Sequence, residues 1–128
     1  MFTVYVDDSG TDPDQPIAIA SAFIVPASRI IALEKEWNRL RTKEKFTDWH
    51  TSEFVAKNAR SDFSNWDDEK GTRVFGRVRQ IAKKYGVKSV AFSVYKKDYD
   101  EAIPADLRKY VGEFHYTWAV QHLLDYLS

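Results

Sequence analysis

The sequence contains no cysteine, which excludes disulfide bonds and thiolate metal sites. It also lacks an apolar run of the roughly 18 residues that a membrane-spanning helix requires. Basic and acidic residues both number 19, so the formal net charge is zero. This balance argues against a general polyanion binder but permits a local basic patch. We therefore expect a cytoplasmic protein that does not enter a membrane.

Several catalytic signatures are missing as well. The chain has no phosphate-binding loop, no dinucleotide-binding glycine pattern and no nucleophile elbow, so the candidate chemistry is carboxylate-based. What is present is ordinary for a globular protein, because 44% of the 128 residues are hydrophobic and 15% are aromatic. This length and composition predict one domain over residues 1–128.

The opening stretch, MFTVYVDDSG, is the most informative part of the chain. It predicts a strand from Phe2 to Val6 that runs into Asp7, Asp8, Ser9 and Gly10. Alternation along a strand puts Asp7 and Asp8 on opposite faces. Two interpretations remain open. Asp-Ser-Gly could simply form a turn, or the strand could present a carboxylate to a hard cation such as Mg²⁺.

Periodicity and breaker residues predict the elements that follow. In chain order we expect a buried strand over 17–25, a helix from a Ser28 N-cap to about residue 44, a short helix within 46–58, a polar loop over 59–66, a helix from Asp67 or Asp68 to Gly86, a strand over 87–97, a polar connection with a short helical turn over 97–112, and an amphipathic helix within 113–128.

His50 and Glu53 lie three residues apart, at the start of the predicted short helix. Thr51 or Ser52 could cap this helix, and a carboxylate in its first turn is favoured by the helix dipole whatever its function. The two side chains could share one face of that turn. For His50, a structural role and metal ligation both remain open.

The helix that begins near residue 67 carries a run of basic residues, including Arg73 and Arg77, with no acid between Lys70 and Lys88. Basic residues toward a helix C-terminus are favoured by the helix dipole. The same residues could instead contact the phosphates of a nucleic acid. Both interpretations are open from the sequence.

Two motifs resemble the signatures of the family called domain of unknown function 3800. VYVDDSGTD (4–12) resembles its Tyr-Ile-Asp-Glu-Ser-Gly opening, and WHTSEF (49–54) resembles its later His/Glu motif. The resemblance implies a ribonuclease H-like α/β fold: a mixed sheet in which the first two strands form an antiparallel hairpin, flanked by helices. It also implies a nuclease that depends on Mg²⁺ or Mn²⁺ and acts on nucleic acid.

The resemblance also assigns roles to residues. Asp7 matches the first-strand acid that would bind metal, and Asp8, which replaces the usual Glu, is a further candidate metal ligand. Ser9 matches the turn beside the substrate. Glu53 would be a second metal ligand, with His50 as its catalytic partner near the substrate. Arg73 and Arg77 are our candidates for positioning phosphates.

Family members continue to a further strand that bears an acid, so we expect this chain to be a truncated version lacking the last strand or strands. The missing acid could come from another chain, or from Asp98, Asp100 or Glu101. Two alternatives to a nuclease are a small-molecule phosphohydrolase and a non-catalytic interaction module that keeps the fold without a complete acidic site. In such a module, an apolar stripe on the last helix could form a homodimer; its residues are Tyr116, Ala119, Val120, Leu123 and Leu127.

Overall fold

The structure, a computed structural model, describes residues 1–112 and 114–128. The chain is α/β, as predicted. Its elements in chain order are β1 (Phe2–Ser9), β2 (Ile17–Pro26), a 3₁₀ turn (Ala27–Arg29), α1 (Ile30–Glu44), α2 (Thr51–Ala56), α3 (Asp68–Tyr85), β3 (Lys88–Tyr95), α4 (Lys96–Ala102), α5 (Ala105–Val111) and α6 (His115–Leu127). Of the expected last helical segment, Glu113 lies outside the described residues.

The described chain divides into two compact units. The sheet unit comprises Phe2–Ile24 and Lys88–Ser128, and the helical unit comprises Met1 and Val25–Val87. The sheet unit therefore holds all or most of the three strands together with α4, α5 and α6. The helical unit holds α1, α2 and α3 and is continuous in sequence apart from Met1.

The sheet has three antiparallel strands in the order β1-β2-β3, so β2 is central and β1 is an edge strand. The register of β2 on β3 runs from Ile17 opposite Tyr95 to Ile24 opposite Lys88. The antiparallel pairing of the first two strands is confirmed. The mixed sheet implied by the resemblance is not observed, because all three described strands are antiparallel.

The core of the sheet unit lies between one face of the sheet and α6. Ala20 and Ala22 of β2 are buried there with Ala119 and Leu123 of α6. The small alanine side chains leave room for the helix to pack closely on the strand, as dense interiors require. The predicted apolar stripe of the last helix is thus largely used inside its own unit. Its exposed apolar side chains are instead Leu124 and Tyr126, and a homodimer through this helix stays a prediction.

The helical unit is organised around the ring of Phe63, which is fully buried. Its centroid lies 5.1–6.2 Å from four other aromatic rings, those of Phe46, Trp49, Phe54 and Trp66. Such pairs stabilise a core beyond the area they bury. The prediction of a polar loop over 59–66 is therefore wrong for Phe63 and Trp66, since both are core residues.

Of the N-caps predicted for α1 and α3, the one at Asp67 is observed and the one at Ser28 is not. Asp67 caps α3, because its carboxylate accepts a hydrogen bond from the Lys70 backbone N–H at 2.7 Å. Ser28 does not cap α1, since it lies inside the 3₁₀ turn that precedes the helix. The α1 and α2 helices end instead on Lys45 and Lys57, both in the left-handed region.

The connection over 97–112 is more helical than predicted. Instead of a single turn it contains most of α4 and all of α5, separated by a break at Ile103 and Pro104. Pro104 cannot donate a backbone hydrogen bond and sits just before α5, where this is tolerated. None of the described helices combines the length and the hydrophobicity needed to cross a bilayer.

Two adjacent leucines of α6 test this packing. Leu123 is 0% exposed and Leu124 is 53% exposed. We expect Leu123→Ala to lower the free energy of unfolding by about 2–5 kcal/mol, because it leaves a cavity against the sheet. We expect Leu124→Ala to change it by less than about 0.5 kcal/mol. Urea unfolding followed by circular dichroism measures both, and equal effects would contradict the packing of α6 described here.

Candidate functional site

Asp7 and Asp8 both lie within β1, which continues to Ser9 rather than ending at Val6. Adjacent strand residues point to opposite faces, so the two carboxylates diverge as predicted. Both residues are exposed. Neither forms an ion pair with any cation among residues 1–112 and 114–128.

Asp7 lines a hollow of about 430 Å³ in the sheet unit. The hollow lies on the face opposite α6, because its β2 residues Ser21 and Phe23 alternate with the buried alanines. Tyr5 packs against Phe23 with ring centroids 6.5 Å apart. The Ser21 hydroxyl donates to the backbone oxygen of Asp7 at 3.3 Å. Asp7 is therefore held at the edge of a small, partly apolar recess.

The turn after β1 depends on Gly10. Its φ is +73°, a conformation that favours glycine. A Cβ at this position would stand 1.7 Å from the backbone oxygen of Ile17, so any other residue would collide with the start of β2. The turn interpretation of the motif is thus correct for Gly10. It does not account for Asp7 and Asp8, because both precede the turn.

Tyr116 of α6 belongs to the surroundings of the two acids, and sequence analysis did not identify it. Burial, followed by the negative charges of Asp8 and Asp7, raises the pKa of the Tyr116 phenol above its usual value. A tyrosine phenol is protonated at neutral pH in any case, so Tyr116 is a hydrogen-bond donor there. In the sequence Tyr116 is one member of an apolar helical stripe, and nothing local links it to β1.

His50 and Glu53 are exposed, and the aromatic residues beside them explain why. Trp49 and Phe54 flank the pair and pack against each other, with ring centroids 4.8 Å apart, and against Phe63. With both ends of the segment anchored in the aromatic core, the residues between them face solvent. In the WHTSEF motif, Trp49 and Phe54 thus pack in the aromatic core, and His50 and Glu53 between them remain exposed.

The start of α2 is not capped as predicted. His50 occupies the N-cap position, and no side-chain cap hydrogen bond forms there. Instead, the Thr51 hydroxyl accepts a hydrogen bond from the Trp49 indole N–H at 3.2 Å. Glu53 lies in the first turn, as expected.

The predicted site residues come from both units. Asp7, Asp8 and Ser9 belong to the sheet unit, whereas His50 and Glu53 belong to the helical unit. Within the part of the chain that the structure describes, no group of three or more His, Asp or Glu side chains could hold a metal ion. A metal site that joins Asp7 to Glu53 therefore stays a prediction.

The candidates for a further acid differ in their availability. Asp100 lies 2.9 Å from His115 Nε2 and 3.3 Å from an Arg108 nitrogen, so two neighbours already engage it. Glu101 lies 3.8 Å from Lys97, an exposed pair one helical turn apart. Asp98 is exposed in α4 and has no ion-pair partner in the described ranges. Of the three, Asp98 is the least committed.

The two arginines proposed to contact phosphates have carboxylate partners. Arg73 donates two parallel hydrogen bonds to Glu44, at 2.7 and 3.0 Å. Arg77 lies 3.2 Å from Glu36, which also accepts hydrogen bonds from Lys84 and from the Tyr85 hydroxyl. These contacts tie α3 to α1. They give both arginines a structural role, and a role in phosphate binding stays a prediction.

Comparisons with known protein families, with curated proteins and with solved structures found no match. The resemblance of the two short motifs therefore stays a prediction.

The Glu44–Arg73 pair makes a prediction about pH. Glu44 is only 5% exposed, and the hydrogen bonds from Arg73 lower the pKa of its carboxyl below 4.5, against the opposing effect of burial. Its ionised form therefore stabilises the fold above pH 4.5, and this contribution is lost as the pH falls through the lowered pKa. We expect Glu44→Gln to reduce stability at pH 7 and to remove part of the decline at acid pH.

Tryptophan fluorescence during urea unfolding, measured from neutral pH down to about pH 3, is a suitable readout. Three tryptophans, Trp37, Trp49 and Trp66, lie in the helical unit with this pair. Glu34→Gln is the matched control, because Glu34 is exposed on the same helix and has no ion pair in the described chain. The same acid decline in wild type and in Glu44→Gln would show that this pair does not contribute.

Proposed function

We propose that the protein is a divalent-metal-dependent phosphodiesterase of ribonuclease H-like type that acts on nucleic acid. The observation that carries this proposal is the state of Asp7 and Asp8. They are exposed on an edge strand, and neither is neutralised by a described cation. Ionised carboxylates without partners are what a hard cation requires.

Ion pairing leaves the motif acids uncommitted, as it does other exposed acids of the described chain such as Asp14, Glu34 and Asp98. Glu36, Glu44, Asp68, Asp100 and Glu101 all lie within ion-pair distance of a basic side chain. Asp7, Asp8 and Glu53, the acids selected by the two motifs, have no such partner within residues 1–112 and 114–128. The motif acids are thus available for another ligand.

A metal bound by the described residues would have few protein ligands. These residues contain no group of three protein ligands, and Asp7 and Asp8 diverge across the strand. Mg²⁺ suits such a set, because it keeps several waters and is commonly held by one or two carboxylates together with substrate phosphates. Asp7 would be a protein ligand of the ion, with Mn²⁺ as an alternative to Mg²⁺, and a ligand role for Glu53 stays a prediction. The bound ion would neutralise phosphate charge and activate water.

The chain's own residues have separate tasks in this proposal. Gly10 allows the chain to turn from β1 close to the start of β2. Tyr116 keeps its proton near the two acids and can donate a hydrogen bond to a phosphate or a water. His50 is exposed beside Glu53 and can contact the substrate.

The order of elements is consistent with the proposal. A strand that ends in acids is followed by an apolar strand, a helix, the His/Glu segment, a helix, a strand and a final helix, as the resemblance implies. The described chain departs from that order only by adding α4 and α5 before the last helix.

Asp7→Asn tests the proposal directly. We expect it to abolish cleavage of RNA, DNA or hybrid substrates in Mg²⁺ or Mn²⁺, because the amide cannot replace the charge of the carboxylate. Asp14→Asn is the matched control, since Asp14 is an exposed loop acid; it should cleave like wild type. Fluorescence-labelled oligonucleotides resolved on denaturing gels provide the readout. Cleavage that survives Asp7→Asn, or no cleavage by wild type with any substrate, would refute the nuclease.

A non-catalytic interaction module is the second candidate, and a different observation favours it. The edge strand β1 exposes Phe2, Val4, Tyr5 and Val6. An exposed apolar edge can pair with another chain. Calorimetry that detects no Mg²⁺ or Mn²⁺ binding, together with a stable dimer in sedimentation analysis, would favour this candidate over the enzyme.

A further inference from the structure

A groove of about 680 Å³ runs between α1 and α3 within the helical unit. Its volume falls in the range of about 300–1,000 Å³ that is typical of ligand sites. Its lining is strongly basic, because six cations face only two carboxylates. Lys35, Arg39 and Lys43 lie on the α1 side, and Arg73, Arg77 and Lys84 lie on the α3 side.

Both acids of the groove are already neutralised, and only by residues of α3. Glu44 accepts two hydrogen bonds from Arg73, and Glu36 lies 3.2 Å from Arg77 and 2.7 Å from Lys84. The α3 cations thus cancel the acids and join the two helices. Six cations against two carboxylates leave four positive charges in the groove, and three of them lie on the α1 side.

The three α1 cations, Lys35, Arg39 and Lys43, form what we call the α1 ladder. They follow one another at intervals of four residues, so they lie on one face, about 6 Å apart along the axis. All three are exposed, and none lies within ion-pair distance of a described carboxylate. Like charges four residues apart destabilise a helix. The ladder therefore weakens α1 unless an external anion neutralises it.

A repeating row of cations suits a ligand with a repeating row of anions. A single phosphate could neutralise only one position of the ladder, whereas a sugar–phosphate backbone presents a charge at every nucleotide. The groove offers no exposed row of aromatic rings for base stacking, since Tyr85, its one aromatic lining residue, is buried. Contacts of this kind bind nucleic acid without reading its sequence.

We propose that the α1 ladder binds the phosphodiester backbone of a nucleic acid along the α1–α3 groove, with Arg73, Arg77 and Lys84 holding the groove together. The identity of the ligand rests on the proposed function, but binding does not require hydrolysis. This reassigns the phosphate contacts that the sequence suggested for Arg73 and Arg77. The phosphate contacts are assigned to α1 instead of α3.

The test compares two triple variants of the full chain. The ladder variant is Lys35→Gln, Arg39→Gln and Lys43→Gln. The control variant removes the same charge outside the groove, by Arg29→Gln, Arg79→Gln and Lys83→Gln, all at exposed positions of the same unit. The probe is a fluorescein-labelled oligothymidylate of about 20 nucleotides. This is longer than the roughly 4–16 nucleotides that one single-strand-binding OB fold covers. Fluorescence anisotropy is measured in EDTA, so that no cleavage occurs.

We expect the ladder variant to lose about tenfold or more in affinity at about 50 mM salt. The slope of log affinity against log salt should become shallower by about 2, because three contacts of about 0.7 each are removed from a single strand. The control variant should keep both values close to wild type. The ladder variant should also melt at a higher temperature than wild type, because the like-charge repulsion along α1 is gone.

The outcomes distinguish the ligand from its competitors. Equal losses in both triple variants, or no binding by wild type, would overturn the proposal. So would equal competition by inorganic polyphosphate or polyglutamate at matched charge, because the ligand would then be any polyanion. Binding in EDTA without cleavage in Mg²⁺ would support the groove and refute the nuclease. Cleavage that the ladder variant performs as well as wild type would support the nuclease and refute the groove.

Discussion

The sheet unit depends on the small side chains along one face of β2. Ala18, Ala20 and Ala22 are almost fully buried, and larger residues there would hold α6 away from the strand. Because β2 is the central strand, the size of these side chains sets how closely Ala119 and Leu123 of α6 pack on the sheet. The recess beside Asp7 lies on the opposite face of the sheet. The candidate acid Asp7 lies on β1, the strand that pairs with the edge of β2 away from β3.

In the helical unit, packed aromatic rings position the candidate residues. The cluster around Phe63 anchors both ends of the His50–Glu53 segment and leaves the polar residues between them exposed. Charged hydrogen bonds from α3 to Glu44 and Glu36 then fix the two long helices. Glu44 and Glu36, in the groove between α1 and α3, form ion pairs, whereas Asp7, Asp8 and Glu53 form none within the described residues.

Sequence patterns predicted the elements whose periodicity is strong. The three strands, the long helices, the Asp67 cap and the opposite faces of Asp7 and Asp8 all follow from local rules. The burial of Phe63 and Trp66 does not, because no period marks them and only tertiary packing makes them core residues. Likewise, no sequence pattern indicates that Tyr116 lies near Asp7 and Asp8. The ion pairs of Arg73 and Arg77 could not be foreseen either, since their partners are distant in sequence.

The division of the chain has a consequence for how it folds. The sheet unit is built from two segments, and the entire run Val25–Val87 of the helical unit separates them in sequence. The β2–β3 ladder must therefore close a long loop, which costs entropy before any strand contact is gained. The helical unit closes only shorter loops. During synthesis it can form its aromatic core while β3 and α6 are still unmade, and β1 and β2 must then wait with their apolar residues unprotected.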